Sequence, residues 1–231
     1  SKRAVGEESL KQYKQLVDLG DHLYLHGSVA VSNTGELSVM ADSWKIAAKA
    51  LRPLPALHKE LSEEQRTRKP YLGMIADSKM RDMVRNRAKV VSSLRRNFDG
   101  RGYVEAETPM LQTNHGGATA RPFETHMNAF NIDLFMRIAP ELFLKRLLVG
   151  GIDKVFEINR DFRNEGADGT HAPEFTMVEA YEAYGTYDTM AELTQSLVQQ
   201  AALDAFGSTE LTLADGTQYS VGGEWRSITM Y

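Results

Sequence analysis

Hydrophobic and polar positions alternate with a period of two in two neighbouring stretches, residues 155–165 and 170–181. This alternation predicts two strands, and the loop rich in glycine and aspartate between them predicts a hairpin. Phe156, Ile158 and Phe162 give the hairpin an apolar face. The opposite face carries polar and aromatic side chains, namely Glu157, Asn159, Asp161, Arg163, Glu165, Phe175, Met177, Glu179 and Tyr181. That second face is either functional or simply solvated.

Apolar residues recur every three or four positions in other parts of the chain, which predicts helices. The predicted helices cover residues 1 to about 20, 57–69, 77–98, 140–149 and 189–206. Short oxygen-bearing side chains favour helix starts, so we expect caps at Ser62, at Asp77 and at either Asp188 or Thr189. The capping-box pattern Thr189-Met-Ala-Glu192 supports the last of these. The long helix after Asp77 also carries cations, for which a solvated face is the simplest interpretation and a nucleic-acid contact the alternative.

The alternating pattern of the first fifty residues predicts short antiparallel strands at 22–31, 36–41 and 44–48. Such strands are typical of a small barrel or of part of a sandwich. Arg52-Pro-Leu-Pro55 is stiff, because proline restricts itself and the residue before it. It predicts a boundary between a first domain, residues 1–51, and a second, residues 52–231. His22 and His26 share a strand face, but two imidazoles without a third ligand are most simply surface groups.

Further strands are predicted at 103–109 and 131–138, and a last hairpin around Asp215-Gly216. With this mixture of strands and helices, the chain is predicted to be an α+β protein.

Composition narrows the possible classes of protein. The chain has 231 residues, a net charge of −4 and no cysteine, so disulfides and thiolate metal sites are excluded. It has neither an apolar run of about 18 residues nor a secretion signal, so we expect a cytoplasmic protein without a membrane span. The bulk charge does not point to nucleic acid. The chain opens within a pattern and stops at Tyr231 without a terminating signal, so we expect a fragment.

Three stretches together resemble the class II aminoacyl-tRNA synthetases, and among them the lysyl-tRNA synthetase family. Gly102-Tyr-Val-Glu-Ala-Glu-Thr-Pro109 and the helix before it are similar to motif 1. Phe162-Arg-Asn-Glu-Gly166 with His171-Ala-Pro-Glu-Phe-Thr176 is similar to motif 2. Gly116-Gly-Ala-Thr-Ala-Arg-Pro-Phe123 and Arg137-Ile-Ala-Pro-Glu-Leu-Phe-Leu-Lys-Arg146 resemble the lysyl type rather than its aspartyl and asparaginyl relatives.

The resemblance implies an antiparallel class II catalytic sheet flanked by helices in residues 52–231. It implies that residues 1–51 are the C-terminal part of an OB-fold anticodon-binding barrel. It further implies a homodimer built around the motif 1 helix and strand. The implied activity joins lysine to ATP as lysyl-adenylate and then transfers lysine to the 3′ end of tRNA(Lys), with Mg²⁺ as the counter-ion of the triphosphate.

The resemblance also assigns site residues. Arg163 would be catalytic, because a planar guanidinium can bridge the lysine carboxylate and the α-phosphate as they approach. Arg163, Glu165, His171 and Phe175 would bind ATP, with Phe175 stacked on adenine. The lysine-binding residues would be Gly117, Glu141, Arg163, Glu179 and Tyr181, of which Gly117 and Glu141 hold the α-amino end and Glu179 and Tyr181 face the side chain. Metal ligands of the family are expected beyond Tyr231.

The sequence departs from the family pattern at three places. Ala172 stands where an asparagine is common, and Lys69-Pro-Tyr-Leu-Gly73 replaces a more basic run. The glycine-rich motif 3 does not occur before Tyr231, so the chain by itself is expected to be inactive. Two alternatives stay open. One is the synthetase-like domain of a lysylphosphatidylglycerol synthase, and the other is a non-catalytic synthetase-like binding or dimerisation module.

Overall fold

A computed structural model describes residues 5–55, 61–213 and 215–229. Contacts within the chain divide it into two compact units, Ser1–Met83 and Val84–Tyr231. The predicted domain boundary between residues 51 and 52 falls inside the first unit and stays a prediction. The predicted helix at 57–69 lies partly outside the described residues, since 56–60 are not among them.

Within its described residues, 5–55 and 61–83, the first unit contains one long hairpin and three short helices. Its elements are α1 (Glu7–Leu16), β1 (His22–Val31), β2 (Leu37–Ala48), α2 (Glu63–Arg68) and α3 (Pro70–Ala76). Tyr13 of α1 packs edge-on against Trp44 of β2, with ring centroids 5.4 Å apart. Ser62 caps α2 in a capping box with Gln65, which confirms the predicted cap. This pairing of strands is one part of what a barrel requires, and the OB fold stays a prediction.

The predicted strands at 36–41 and 44–48 are in fact one strand, β2. The register against β1 shifts at Gly27, so that Gly27 opposes Ala41 while His26 opposes Ser43. Asp42 is the extra residue of this bulge, and its carboxylate lies 2.8 Å from Nδ1 of His26. A bulge absorbs one residue and bends the strand without ending it. The break in alternation at Asp42 was therefore a bulge rather than a strand end.

The second unit begins within helix α4 and holds most of the predicted elements. They are α4 (Ser78–Asp99), β3 (Val104–Glu105), β4 (Leu111–Gln112), β5 (Glu124–Met127), β6 (Ile132–Met136), α5 (Glu141–Val149), β7 (Lys154–Phe162), β8 (Glu174–Glu182), α6 (Tyr187–Phe206), β9 (Glu210–Thr212) and β10 (Gln218–Ser220). Asp77 accepts a hydrogen bond from the Lys79 backbone at 2.8 Å, as expected for a cap on α4. The predicted strand at 103–109 shortens to the two residues of β3.

The second unit contains two three-stranded sheets. One has the order β3-β7-β8 and the other β4-β6-β5. All their pairings are antiparallel except that of β3 with β7, which is parallel. The Phe162 N–H donates to the Arg137 carbonyl at 3.0 Å, so the end of β7 is joined to the segment that follows β6. This bond brings residues 137–141 to the edge of the polar hairpin face.

The apolar face of the hairpin forms the core. Phe156 of β7 stacks on Phe98 of α4 at 4.3 Å between ring centroids, and Leu193 and Leu197 of α6 complete the cluster with Tyr103. Because side chains alternate along a strand, the polar side chains of β7 and β8 point away from α4 and α6. Helices α4 and α6 therefore cover one side of the sheet, and the polar side chains lie on the other side.

Most cations of α4 lie on an exposed face, as predicted, and several of them also contact other elements. The Arg87 side chain donates to Thr176 at 2.9 Å, and Arg95 forms an ion pair with Glu105 at 2.9 Å. Arg96 forms an ion pair with Asp204 at 2.6 Å. These cations therefore attach α4 to three different elements of the second unit.

The start of α6 also differs from the prediction. Thr186 is the cap, in a capping box with Thr189, and neither Asp188 nor Thr189 takes that place. Thr186 precedes the first helical turn in an extended conformation, so its hydroxyl can reach the free N–H of Thr189. Gly207 ends the helix at φ 75°, in the left-handed region where glycine carries no penalty.

Candidate functional site

The register of β7 against β8 confirms the predicted polar face. Glu157 lies opposite Glu179, and Asp161 lies opposite Phe175. Residues that lie directly opposite in an antiparallel pair point to the same side of the sheet. Tyr181 is on this side as well, because it faces Val155. The side chains that alternate along the sequence are thus gathered on one surface.

Arg163 and Phe175 form a contact pair at the far end of the hairpin. The guanidinium carbon lies 5.2 Å from the centre of the Phe175 ring. Two nitrogens of the guanidinium, Nε and Nη2, are each 3.4 Å from the Ile138 carbonyl oxygen. This arrangement presents a planar cation beside an aromatic ring, which is a suitable surface for an aromatic base joined to a charged phosphate.

Two hydrogen bonds hold the start of the loop after Arg163 against the backbone of Arg121. The Glu165 carboxylate accepts a hydrogen bond from the Arg121 backbone at 3.2 Å, and the Asn164 N–H donates to the Arg121 carbonyl at 2.7 Å. A cavity of about 580 Å³ lies here, lined by Arg163, Glu165, Gly166, Asp168, Thr170, His171, Ala172 and Phe175. All four residues predicted to bind ATP therefore line one cavity.

Asp168 organises the turn that carries His171. Its Oδ1 accepts hydrogen bonds from the Thr170 N–H at 2.7 Å and from the His171 N–H at 2.9 Å, and it lies 2.9 Å from His171 Nδ1. The hydrogen bond from the Thr170 backbone is the main reason that the pKa of Asp168 is lowered to about 2. The turn thus holds a carboxylate and an imidazole at the mouth of the cavity.

Gly117 and Glu141 meet at the start of α5. Gly117 has φ 90°, and a Cβ built on it would lie 2.8 Å from the Cβ of Glu141 and 3.2 Å from that of Ala139. A side chain at this position would therefore be strained and would also collide with its neighbours. The close approach places the backbone of Gly117 beside the Glu141 carboxylate, and their role in holding an ammonium group stays a prediction.

Glu179 and Tyr181 form the other predicted pair. The Tyr181 hydroxyl donates to the Glu179 carboxylate at 2.9 Å. Burial is the main cause that raises the pKa of Glu179, the negative charge of Glu141 raises it further, and the Tyr181 hydrogen bond opposes the shift. Burial together with this hydrogen bond also raises the pKa of the Tyr181 hydroxyl. Glu141 and Glu179 therefore act on each other within one anionic region.

Arg137 holds a buried ionic network that the sequence reasoning did not identify. Its Nη1 donates to Glu157 at 2.6 Å and to the Thr108 hydroxyl at 3.0 Å, and its Nε donates to the Arg160 carbonyl at 2.9 Å. Arg137, Glu157 and Asp161 are each at most 1% exposed. In the sequence, the sign of this network is one arginine that lies between apolar residues at the end of a predicted strand.

Asp161 is the weakly bound member of this network. Nε of Arg137 lies 3.0 Å from Asp161 Oδ1, but its N–H points to the Arg160 carbonyl, and both Asp161 oxygens are buried without a hydrogen bond. Burial raises the pKa of Asp161 to about 6, although the charge of Arg137 opposes the shift. Two buried carboxylates on one strand thus differ in how well they are satisfied.

The site and the fold match a known family. The family model for class II tRNA synthetases (D, K and N) matches residues 62–231, and the chain belongs to this family. The mixed α+β architecture and the antiparallel sheets of the second unit agree with that membership. Among the described residues, no helix is both long and apolar enough to cross a membrane.

Individual relatives point to one member of the family. A protein named "Lysine--tRNA ligase" from Kineococcus radiotolerans is 60% identical over 231 residues, which is 100% of this chain and 46% of that protein. Another of that name, from Mycolicibacterium gilvum, is 57% identical over 98% of this chain and 45% of its own length. A third, from Pelotomaculum thermopropionicum, is 46% identical over 98% of this chain. The chain spans about half the length of these curated relatives.

Proposed function

We propose that this chain carries the ATP-binding and lysine-binding surface of a lysine–tRNA ligase. In that role it would help to join lysine to ATP as lysyl-adenylate and to transfer lysine to the 3′ end of tRNA(Lys). The observation that carries the proposal is the shared face of β7 and β8. A guanidinium beside an aromatic ring occupies one end of this face. Glu179, which is hydrogen-bonded to Tyr181 and lies within reach of the Glu141 charge, occupies the other.

The nucleotide is assigned to the cavity between Arg163 and His171. Phe175 would stack against the adenine ring, while Glu165 and His171 would contact the rest of the nucleotide. Lysine is assigned to the anionic region, with its α-ammonium between Gly117 and Glu141 and its side chain towards Glu179 and Tyr181. Acids at both ends suit a ligand that carries two ammonium groups, because each charge-assisted hydrogen bond contributes about 1.5–3 kcal/mol.

The reaction needs no nucleophile from the protein. The lysine carboxylate attacks the α-phosphate of ATP, a carboxylate–phosphate bond forms, and the bond to pyrophosphate breaks. The work of this chain is then to position the reactants and to stabilise charge. Arg163 is held beside Phe175 and the Ile138 carbonyl, so its guanidinium is oriented before the substrates arrive. A group fixed in this way loses little free energy when charge develops on the α-phosphate.

Mg²⁺ enters this proposal only as a counter-ion that neutralises the triphosphate when ATP is bound. Across residues 5–55, 61–213 and 215–229, no group of three or more acidic or imidazole side chains is placed to hold a metal ion. The homodimer, the OB-fold barrel in residues 1–51 and the cytoplasmic location belong to the same proposal and rest on family membership.

The experiment is pyrophosphate exchange by the full-length gene product that contains these residues. We expect exchange with lysine and none with aspartate, and exchange with aspartate alone would refute the assignment. Arg163→Ala should lower exchange by about 10²–10³-fold, as loss of a group that stabilises the transition state does. Arg160→Ala is the matched control, because its half-exposed side chain forms an ion pair with Glu174 at 3.5 Å and lies outside the proposed ATP cavity.

Gel filtration of the same variants separates loss of activity from loss of assembly. Arg163→Ala should elute as the unaltered protein does. A protein that assembles normally but never supports exchange would instead favour the non-catalytic binding module.

A further inference from the structure

The anionic region of the site already contains an ammonium group, that of Lys145. Lys145 lies one turn after Glu141 on α5, and its Nζ is 2.6 Å from Glu141 Oε1. The same Nζ lies 5.6 Å from the centre of the Tyr181 ring on β8. Lys145 thus contacts one residue assigned to the α-amino end of lysine and one assigned to its side chain. No function assigned above uses this cation.

Arg137 and Lys145, the two cations beside the acids of this surface, differ in how freely they can move. Arg137 is buried, and its nitrogens are committed to Glu157, Thr108 and the Arg160 carbonyl. The Lys145 side chain is 53% exposed and ends in a single ammonium on a flexible stem. Arg137 is therefore a fixed part of the structure, whereas Lys145 can leave Glu141 at small cost.

A simple surface ion pair between residues four apart on a helix would need no further explanation. Two observations distinguish this pair. Glu141 is packed against the backbone of Gly117, so its carboxylate is held at the site instead of extending into solvent. Its negative charge also acts on Glu179, which has no ion-pair partner among the residues the structure describes. The Lys145 ammonium therefore neutralises part of an anionic site that would otherwise repel itself.

We propose that Lys145 is an internal counter-ion that occupies the place of the substrate ammonium. Its Nζ neutralises Glu141 in the free protein, and the α-ammonium of lysine displaces it on binding. This inference rests on the proposed function. Every bound lysine must then break the pair between Lys145 and Glu141. The pair thereby lowers the affinity for lysine and leaves the affinity for ligands without an α-ammonium unchanged.

The test is Lys145→Met in the full-length gene product, since methionine keeps an unbranched stem and removes the charge. The KM for lysine in pyrophosphate exchange should fall about twofold to fivefold, which corresponds to about 0.4–1 kcal/mol at 1.4 kcal/mol per tenfold and matches a part-exposed ion pair. Lys145→Arg keeps the competing cation, so its KM should not fall. Arg146→Met is the matched control, because that cation lies over the Phe143 ring at 4.7 Å and not at Glu141.

A second probe locates the competition. 6-Aminohexanoate is lysine without its α-amino group, so as a competitive inhibitor it has nothing to exchange with Lys145 at Glu141. Its inhibition constant should stay the same in Lys145→Met while the KM for lysine falls. An equal fall for both ligands, or an unchanged or higher KM for lysine, would overturn the proposal. Absence of lysine-dependent exchange in the unaltered protein would instead refute the proposed function, which keeps the two failures distinct.

Discussion

Neutralising Asp161 should make the second unit more stable at neutral pH, even though the residue lies next to an arginine. The pKa of Asp161 is raised from 3.8 to about 6, and one pKa unit corresponds to 1.36 kcal/mol, so its charged form is disfavoured by about 3 kcal/mol. Stability from this group is fully present below pH 3.8 and is lost as the pH rises through about 6. Asp161→Asn removes this loss. A buried amide forgoes hydrogen bonds to water at about 1–3 kcal/mol, so we expect a net gain of about 1 kcal/mol at pH 7.5.

The assay is urea unfolding at pH 4.5 and pH 7.5 in a Trp44→Phe background. Trp225 is then the only tryptophan, because the chain has two, and its fluorescence reports on the second unit. The free energy of unfolding of Asp161→Asn, relative to the parent, should rise between the two pH values and become positive at the higher one. A difference that does not change with pH, or that falls as pH rises, would refute the reasoning.

Glu157→Gln is the matched control on the same strand, and its expected effect has the opposite sign. Glu157 accepts hydrogen bonds from Arg137 at 2.6 Å and from the Thr108 hydroxyl at 2.6 Å. Glutamine replaces one acceptor oxygen by a donor, which faces these donors directly. Each hydrogen bond to a charged group contributes about 1.5–3 kcal/mol, so the variant should be less stable at pH 7.5. Equal effects at the two carboxylates would mean that burial alone decides their energies.

Three further predictions concern single positions. Gly117→Ala should abolish lysine binding, because its methyl group would lie 2.8 Å from the Cβ of Glu141. Gly151→Ala, at φ 97° with open space around it, should cost only about 1 kcal/mol of stability. An equal loss of lysine binding in both variants would contradict the steric argument. Thr186→Ala should lower the free energy of unfolding by about 1 kcal/mol in the same fluorescence assay, and no change would exclude its role as the cap of α6. Lys49→Met should lower the melting temperature of the first unit, because Lys49 forms ion pairs with two aspartates at 2.5 and 2.7 Å. Trp44 fluorescence in a Trp225→Phe background follows this unit, and an unchanged temperature would mean that the ion pairs add no stability.

Much of the second unit could be predicted because its patterns are local. The period-two alternation in residues 155–165 and 170–181 already separates the two faces, and a strand register cannot slip by one residue without reversing them. Gly117 and Glu141 were assigned from the family resemblance, and the structure brings them into contact. Whether these residues bind lysine stays a prediction.

Partners that depend on tertiary structure could not be predicted. Arg137 was quoted only as part of a family motif, because nothing in the local sequence indicates which carboxylates a buried arginine will meet. The cap of α6 was placed at Asp188 or Thr189, since a Thr followed by Glu three residues later is a common box, whereas Thr186 and Thr189 form the actual one. At Asp42, a bulge and a strand end give the same break in alternation, and only pairing with β1 distinguishes them.

Arg137 has a mechanical consequence beyond its charge. One side chain, just after β6, joins Thr108 between β3 and β4 to Glu157 and to the Arg160 carbonyl of β7, and so it fastens the two sheets together. In secreted proteins a disulfide often provides such a cross-link, but this chain has no cysteine. A guanidinium cross-link needs no oxidising compartment and cannot be reduced.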